Sequence, residues 1–282
     1  MKPANLRTKI FLDSGDPAET RDALSLMGFL DGQTTNPSLI AKNPATAAKK
    51  FSKDELLDFY KGVVKEVSSL IPNGSVSIEV YADNKTRADE MFAQGQEFYQ
   101  WIPNAHIKYP TTFEGLKAAE ISVKEGMRVN MTLVFSQEQA AAVYAATQGA
   151  NPGQVFLSPF IGRLDDRGER GMDLIANVIS MYKKGDGHVE VLTASVRSLD
   201  HFFEAIKLGS DIITTPHKIL KAWADGGMKM PDAKFKYQAP DLKPIEYQQI
   251  DLGKPWQRYN LRHDLTDAGL EKFSADWNAL IN

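Results

Sequence analysis

The chain predicts a closed (β/α)8 barrel, and three observations carry the prediction. Eight short β-rich runs lie between residues 9 and 216, and helical patterns separate most of them. Strands alternating with helices imply parallel pairing through right-handed crossovers, and eight such units fit a closed barrel. An open doubly wound sheet is the structural alternative. It is weakened because no G-x-G-x-x-G follows the first run, so a dinucleotide-binding fingerprint is missing.

The runs are, in order, KIFLD (9–13), GFLDGQTTNPSLI (28–40, closing on a Thr-Asn-Pro turn), VSIEVYA (76–82), AHIKYP (105–110), RVNMTLVF (128–135), VFLSPFIGR (155–163), VEVLTASVR (189–197) and DIITTP (211–216). Helical spacing of apolar residues marks 53–71, 87–102, 112–126, 136–149, 170–185 and 198–209. Several of these stretches close on Gly, a common C-terminal signal. Residues 229–260 break the pattern with Pro231, Pro240, Pro244 and Pro255 among polar and aromatic residues. That composition reads as an extended excursion, either a lid or a contact between copies of the chain, so a homo-oligomer is one expectation. A final amphipathic helix sets Leu270, Phe273, Trp277 and Ile281 roughly on one face. The expected organisation is one barrel domain, 1–282, with 229–282 as its C-terminal extension.

Composition narrows the function classes. The chain has 282 residues, 43% hydrophobic and 24% charged, which is ordinary for a globular protein. Lys plus Arg (33) nearly balance Asp plus Glu (36), so neither a nucleic-acid footprint nor a polybasic membrane patch is expected. With no cysteine, disulfides, thiol nucleophiles and cysteine-ligated metals are excluded. The first residues lack the apolar core of a signal peptide, and no apolar run reaches the roughly 18–20 residues of a membrane helix. A cytoplasmic location is the expectation. The five histidines (106, 188, 201, 217 and 263) lack metal-ligand spacing and are read as structural or exposed.

In a (β/α)8 barrel the chemistry gathers at the C-terminal strand ends. Nearly every predicted strand carries a polar residue there: Asp13, then Thr35 and Asn36, Glu79, Lys108, Asn130 with Thr132, Ser158 with Arg163, and Ser195 with Arg197. Such groups are costly in a packed core unless paired, so their recurrence suggests one shared polar pocket. An amine near two carboxylates and several neutral hydrogen-bonders is the equipment for Schiff-base chemistry. An amine attacks a carbonyl only when neutral, and desolvation favours the neutral form. Asp13 and Glu79 are candidates for the proton shuttle and for the base that takes a hydroxyl proton during C–C cleavage. Arg163 and Arg197 could hold a phosphate. Blander readings stand beside these. Lys108 could be solvated, Asp13 could cap the LDSGD turn, Glu79 could face solvent, and the two arginines could pair with Asp165 and Asp166.

Several segments carry a resemblance. DGQTTNPSLI, HIKYPTTFEGLKA, VNMTLVFSQEQA, FLSPFIGR and TASVRS resemble, in order, the signature segments of the transaldolase family, and GLEKFSADW resembles the C-terminal helix of its longer members. The resemblance covers nearly the whole barrel. It implies a (β/α)8 fold and a class I aldol mechanism without metal or organic cofactor, acting on sugar phosphates. Carried over position by position, it implies that Lys108 forms the Schiff base and that Asp13 is the acid/base at the cleaved bond. Glu79 would work with Thr132 through a bound water. Asn36 and Asn130 would hold the dihydroxyacetone portion beside Ser158, with Phe160 lining the pocket and Arg163, Ser195 and Arg197 on the phosphate. The related fructose-6-phosphate aldolases are shorter and typically carry Gln and Tyr where Glu79 and Phe160 stand. Glu79, Phe160 and the long tail therefore favour transfer of the three-carbon unit over its release. A sugar-phosphate-binding barrel without catalysis is the rival from another class. Tyr109, where a smaller aliphatic is usual, and Val196, where Phe is usual, depart from the pattern.

Overall fold

The computed structural model describes residues 2–282. Eight parallel strands close in sequence order into a barrel: β1 Lys9–Asp13, β2 Gly32–Thr34, β3 Ser75–Glu79, β4 Ala105–Pro110, β5 Val129–Val134, β6 Val155–Pro159, β7 Val189–Thr193 and β8 Ile212–Thr215. β8 pairs with β1 through Lys9 to Leu12. β4 and β5 are buried along their whole length, as expected for parallel strands covered on both faces.

The surrounding helices are α1 Pro17–Met27, α2 Pro37–Ala41, α3 Lys53–Leu70, α4 Ala88–Tyr99, α5 Phe113–Lys124, α6 Gln137–Ala146, α7 Ile161–Asp166, α8 Gly171–Tyr182, α9 Leu199–Leu208, α10 His217–Asp225 and α11 Asp264–Asn278. Their starts follow from local chemistry. Ser52 and Glu55 form a capping box on α3, while Thr112, Ser136 and Ser198 accept from the third backbone N–H of α5, α6 and α9.

Several expected boundaries move. The second run contributes only three strand residues. Gly28 caps α1 in the left-handed region (φ 74°), and Asn36 followed by Pro37 starts α2. The sixth run turns into α7 after Pro159, and the seventh stops before Ser195, whose φ is 59°. Helix α1 was not expected, because its inner face carries Thr20, which donates to Gln33 Oε1 at 2.7 Å and so interrupts the apolar stripe. Helix α10 was missed because nine residues bury only Ile219, Leu220 and Trp223.

The lower half of the barrel is plugged. Phe11 meets Phe156 edge to face, and the His106 ring stacks on Phe156 at 3.9 Å. A Cβ on Gly32 would lie 2.5 Å from the Phe11 ring, so only glycine lets that ring cross the interior. Below the plug lies a cavity of about 610 Å³ lined by Lys9, Asp31, Asn104 and Arg128. It opens at the N-terminal strand ends, away from Lys108.

Residues 229–260 run along the outer helices. Lys243 exchanges backbone hydrogen bonds with Gly168 and Arg170, Asn177 donates to the Ile245 carbonyl, and Gln137 donates to that of Glu246. Of the two expectations for this segment, a lid or a contact between copies, neither is shown; its contacts lie on the outer helices and not over the barrel mouth. Helix α11 packs on α2 and β5 at the barrel mouth.

Candidate active site

Strand register assembles the site. Glu79, Lys108 and Asn130 are direct neighbours across β3, β4 and β5, so period-two alternation sends all three the same way. Lys108 Nζ lies 2.8 Å from Glu79 Oε2, with side-chain exposures of 3% and 4%. It also donates to the Thr35 carbonyl at 2.9 Å. The solvated readings of both residues are thereby removed. Asn130 is fixed from both sides: it donates to Ser77 Oγ at 3.1 Å and accepts from Ser158 Oγ at 2.7 Å.

A cavity of about 210 Å³ opens above this layer. Of the residues nominated from sequence, Asp13, Asn36, Lys108, Ser158, Phe160, Arg163 and Ser195 line it. Asp13 Oδ1 accepts from Thr34 Oγ1 at 2.7 Å. Asn36 spends its side-chain oxygen on capping α2 at Leu39, which leaves its amide nitrogen available to a ligand. Arg163 lies over the rings of Phe160 and Phe273 at 5.4 Å from each centroid.

Four nominated residues stand back from the cavity. Glu79 and Asn130 reach it through Lys108 and Ser158. Thr132 is fully buried, and its hydroxyl has no hydrogen-bond partner among the described residues. Arg197 is half exposed and holds Asp166 through both terminal nitrogens. The surface-pair reading thus holds for Arg197, while Arg163 has no ion-pair partner among the described residues.

Burial dominates the electrostatics. It raises the Asp13 and Glu79 carboxyls above their ordinary values against the opposing pull of Lys108. Asp13 keeps an edge on the cavity but is walled in by protein. Burial likewise lowers Arg163 against the attraction of Glu79. Two carboxyls with raised proton affinity beside a buried amine can move protons at neutral pH.

Sequence reasoning missed a supporting layer. Tyr60 Oη accepts from the Glu79 backbone N–H at 2.9 Å and lies 2.6 Å from Thr35 Oγ1. Thr34 Oγ1 also meets Thr214 Oγ1. Lys42 and Lys272 line the cavity as well. No local motif marks these residues, which reach the site only through folding. Among the described residues no cluster of His, Asp and Glu could hold a metal ion, and no helix is long and apolar enough to cross a membrane. The histidines have local partners: His106, pushed down to about 3 by burial, lies between Ser75 and Gly153, and His188 pairs with Asp186.

The geometry agrees with comparisons to known proteins. A solved structure described as a putative dehydratase from Mesorhizobium loti aligns with a TM-score of 0.51 at 10% identity, over 78% of this chain and 57% of that one. That likeness concerns the fold alone. A probable transaldolase of Dehalococcoides mccartyi is 35% identical over 272 residues, 96% of this chain and 99% of that protein. A probable transaldolase of Paracoccus denitrificans is 36% identical over 269 residues, 95% and 96% respectively. The sequence pattern described as Transaldolase/Fructose-6-phosphate aldolase matches residues 10–282. This chain therefore belongs to the transaldolase/fructose-6-phosphate aldolase family.

Proposed function

We propose that the chain is a transaldolase. It moves a dihydroxyacetone unit from a ketose phosphate (sedoheptulose 7-phosphate or fructose 6-phosphate) to an aldose phosphate (glyceraldehyde 3-phosphate or erythrose 4-phosphate), as a cytoplasmic step of the pentose phosphate pathway. The observation that carries the reading is the buried Lys108–Glu79 pair at 2.8 Å beneath a cavity that Asp13 also lines.

Glu79, its proton affinity raised by burial, accepts the proton that makes the amine of Lys108 nucleophilic. The amine adds to the ketose C2 carbonyl, and the carbinolamine loses water to give an iminium, with Glu79 and a water held near Thr132 moving protons. Asp13 takes the C4 hydroxyl proton. The C3–C4 bond breaks, its electron pair enters the iminium to form an enamine, and the aldehyde leaves. The enamine carbon then attacks the acceptor aldehyde, Asp13 returns the proton to the new alkoxide, and water releases the new ketose. Asn36 and Asn130 orient the three-carbon unit beside Ser158. Phe160 walls the pocket, and Arg163, Ser195 and Arg197 hold the phosphate, with Arg197 exchanging Asp166 for it.

Borohydride reduction with fructose 6-phosphate should leave a mass adduct that peptide mapping puts on Lys108. No adduct, or one that persists in Lys108→Ala, removes the covalent mechanism. Adding erythrose 4-phosphate separates transfer from simple cleavage. Products that form at the same rate without the acceptor indicate a fructose-6-phosphate aldolase, an activity that the same family includes.

A further inference from the structure

Helix α11 presents two faces. Its apolar residues Leu270, Phe273 and Trp277 are buried, and the amphipathic pattern accounts for them. Gly269, Lys272, Phe273 and Asp276 follow i, i+3, i+4, i+7 spacing and so form a second stripe. That stripe meets the site at four points. A Cβ on Gly269 would lie 2.6 Å from Leu133 Cδ2 and 2.7 Å from Arg163 Nη1, so a side chain there would press on both and shift the guanidinium. Phe273 lies against the same guanidinium. Lys272 lines the cavity together with Arg163 and Ser195. Among the described residues its one ion-pair partner is Asp276 at 3.0 Å, and Ser38 Oγ donates to that same carboxylate.

Besides Lys272, the cavity is lined by the cations Lys42, Lys108 and Arg163. Arg197 is held by Asp166, and among the described residues Arg163 is the only arginine that lines the cavity. Lys272 rests on an acid that keeps a second hydrogen bond when the lysine leaves, so its ammonium can turn inward at small cost. A solvent-exposed ion pair of this kind is weak, weaker than a charge-assisted hydrogen bond to a phosphate in a partly desolvated cleft.

We propose that Lys272 is a specificity-determining residue that contacts the substrate phosphate, with Gly269 and Phe273 positioning Arg163 for the same group. The C-terminal helix thereby makes the site selective for phosphorylated over free sugars. This rests on the sugar-phosphate part of the proposed function, though not on the Schiff base.

The test is ligand-induced thermal stabilisation of the full chain, titrated with fructose 6-phosphate, inorganic phosphate and fructose. Lys272→Met should raise the half-effect concentration of both phosphorylated probes roughly tenfold. Fructose should be unaffected, and Lys272→Arg should recover most of the loss. Gly269→Ala should weaken the phosphate probes in the same selective way, while an equal loss for fructose would mark it as merely structural. Unchanged phosphate response in Lys272→Met, or equal loss for fructose, overturns the proposal. Borohydride trapping is run in parallel. If it yields no adduct while the phosphate selectivity depends on Lys272, the covalent mechanism fails and the role of Lys272 stands.

Discussion

The Thr132 hydroxyl gives the sharpest test of the proposed chemistry. The residue is fully buried, and its Oγ1 has no partner among the described residues. Leaving a buried hydroxyl unpaired costs about 1–3 kcal/mol. Valine keeps the β-branched shape that β5 accepts and deletes only the hydroxyl, so Thr132→Val opens no cavity. The variant should therefore be as stable as the parent or up to about 3 kcal/mol more stable, and each kcal/mol raises Tm by roughly 2–4 °C for a chain of this size. Activity should move the other way. If the hydroxyl helps hold the water through which Glu79 transfers protons, its loss should slow dehydration by at least about 100-fold, the low end for general acid–base catalysis. That corresponds to about 2.7 kcal/mol at 1.36 kcal/mol per decade. Calorimetry without ligand gives the first quantity, and single-turnover adduct formation under borohydride gives the second. A variant that loses stability yet forms the adduct at the parental rate would refute the reasoning, because the hydroxyl would then be a structural group with no part in the chemistry.

Three further outcomes follow from the same geometry. Lys108→Ala should abolish turnover and adduct while keeping the far-UV CD spectrum of the barrel, at a stability cost of about 3–5 kcal/mol for breaking a buried pair; surviving turnover would contradict the assignment. Asp13→Asn should slow C–C cleavage and yet stabilise the protein at neutral pH. The Asp13 carboxyl is raised above 3.8 in the fold, so its favourable contribution is complete below that value and is lost as pH rises through the folded value. Urea midpoints between about pH 4 and 8 should thus show the variant's advantage shrinking on acidification, and an advantage that grows there would reverse the sign. Gly95→Ala should destabilise by about 1–3 kcal/mol, because a Cβ there would sit 2.0 Å from Tyr109 Oη, with kcat per folded molecule unchanged; a kcat loss at parental stability would show that Tyr109 matters to the site.

What the sequence made legible was periodic or local. Strand order, the inward row of Glu79, Lys108 and Asn130, and most helices follow from alternation and spacing. The Tyr109 departure was visible in sequence, but its meaning was not. One position past Lys108, the side chain points out of the barrel, bonds Ser122 at 2.9 Å and fills the notch left by Gly95, so the substitution stays clear of the cavity. Val196 is likewise buried and does not line the cavity. Which of the two readings offered for Arg197, phosphate or surface acid, the resting fold would take was illegible, because Asp166 comes from α7 and Arg197 from the turn after β7. Lys42, Lys272 and Tyr60 were illegible for the same reason: their relation to Lys108 exists only across elements far apart in sequence.

The strained positions connect these non-local parts. Leu133 and Ser195 are non-glycine residues with φ of 59° at the ends of β5 and β7, a conformation that costs of order 1–3 kcal/mol and persists only where surrounding contacts enforce it. At Leu133 the enforcing contacts come from α11. Thr266 Oγ1 donates to the Leu133 carbonyl at 2.9 Å, and the Leu133 side chain fits against Gly269. The register of β5 shifts between Met131 and Val134, which is where Thr132 lies. At Ser195 the carbonyl accepts from the Gly162 N–H at 3.2 Å, next to Arg163. The C-terminal helix therefore touches the candidate site at two places, at Arg163 through Phe273 and at the bend that follows Thr132 through Thr266 and Gly269. A helix more than a hundred residues beyond Lys108 thus packs on the strand that carries Asn130 and Thr132.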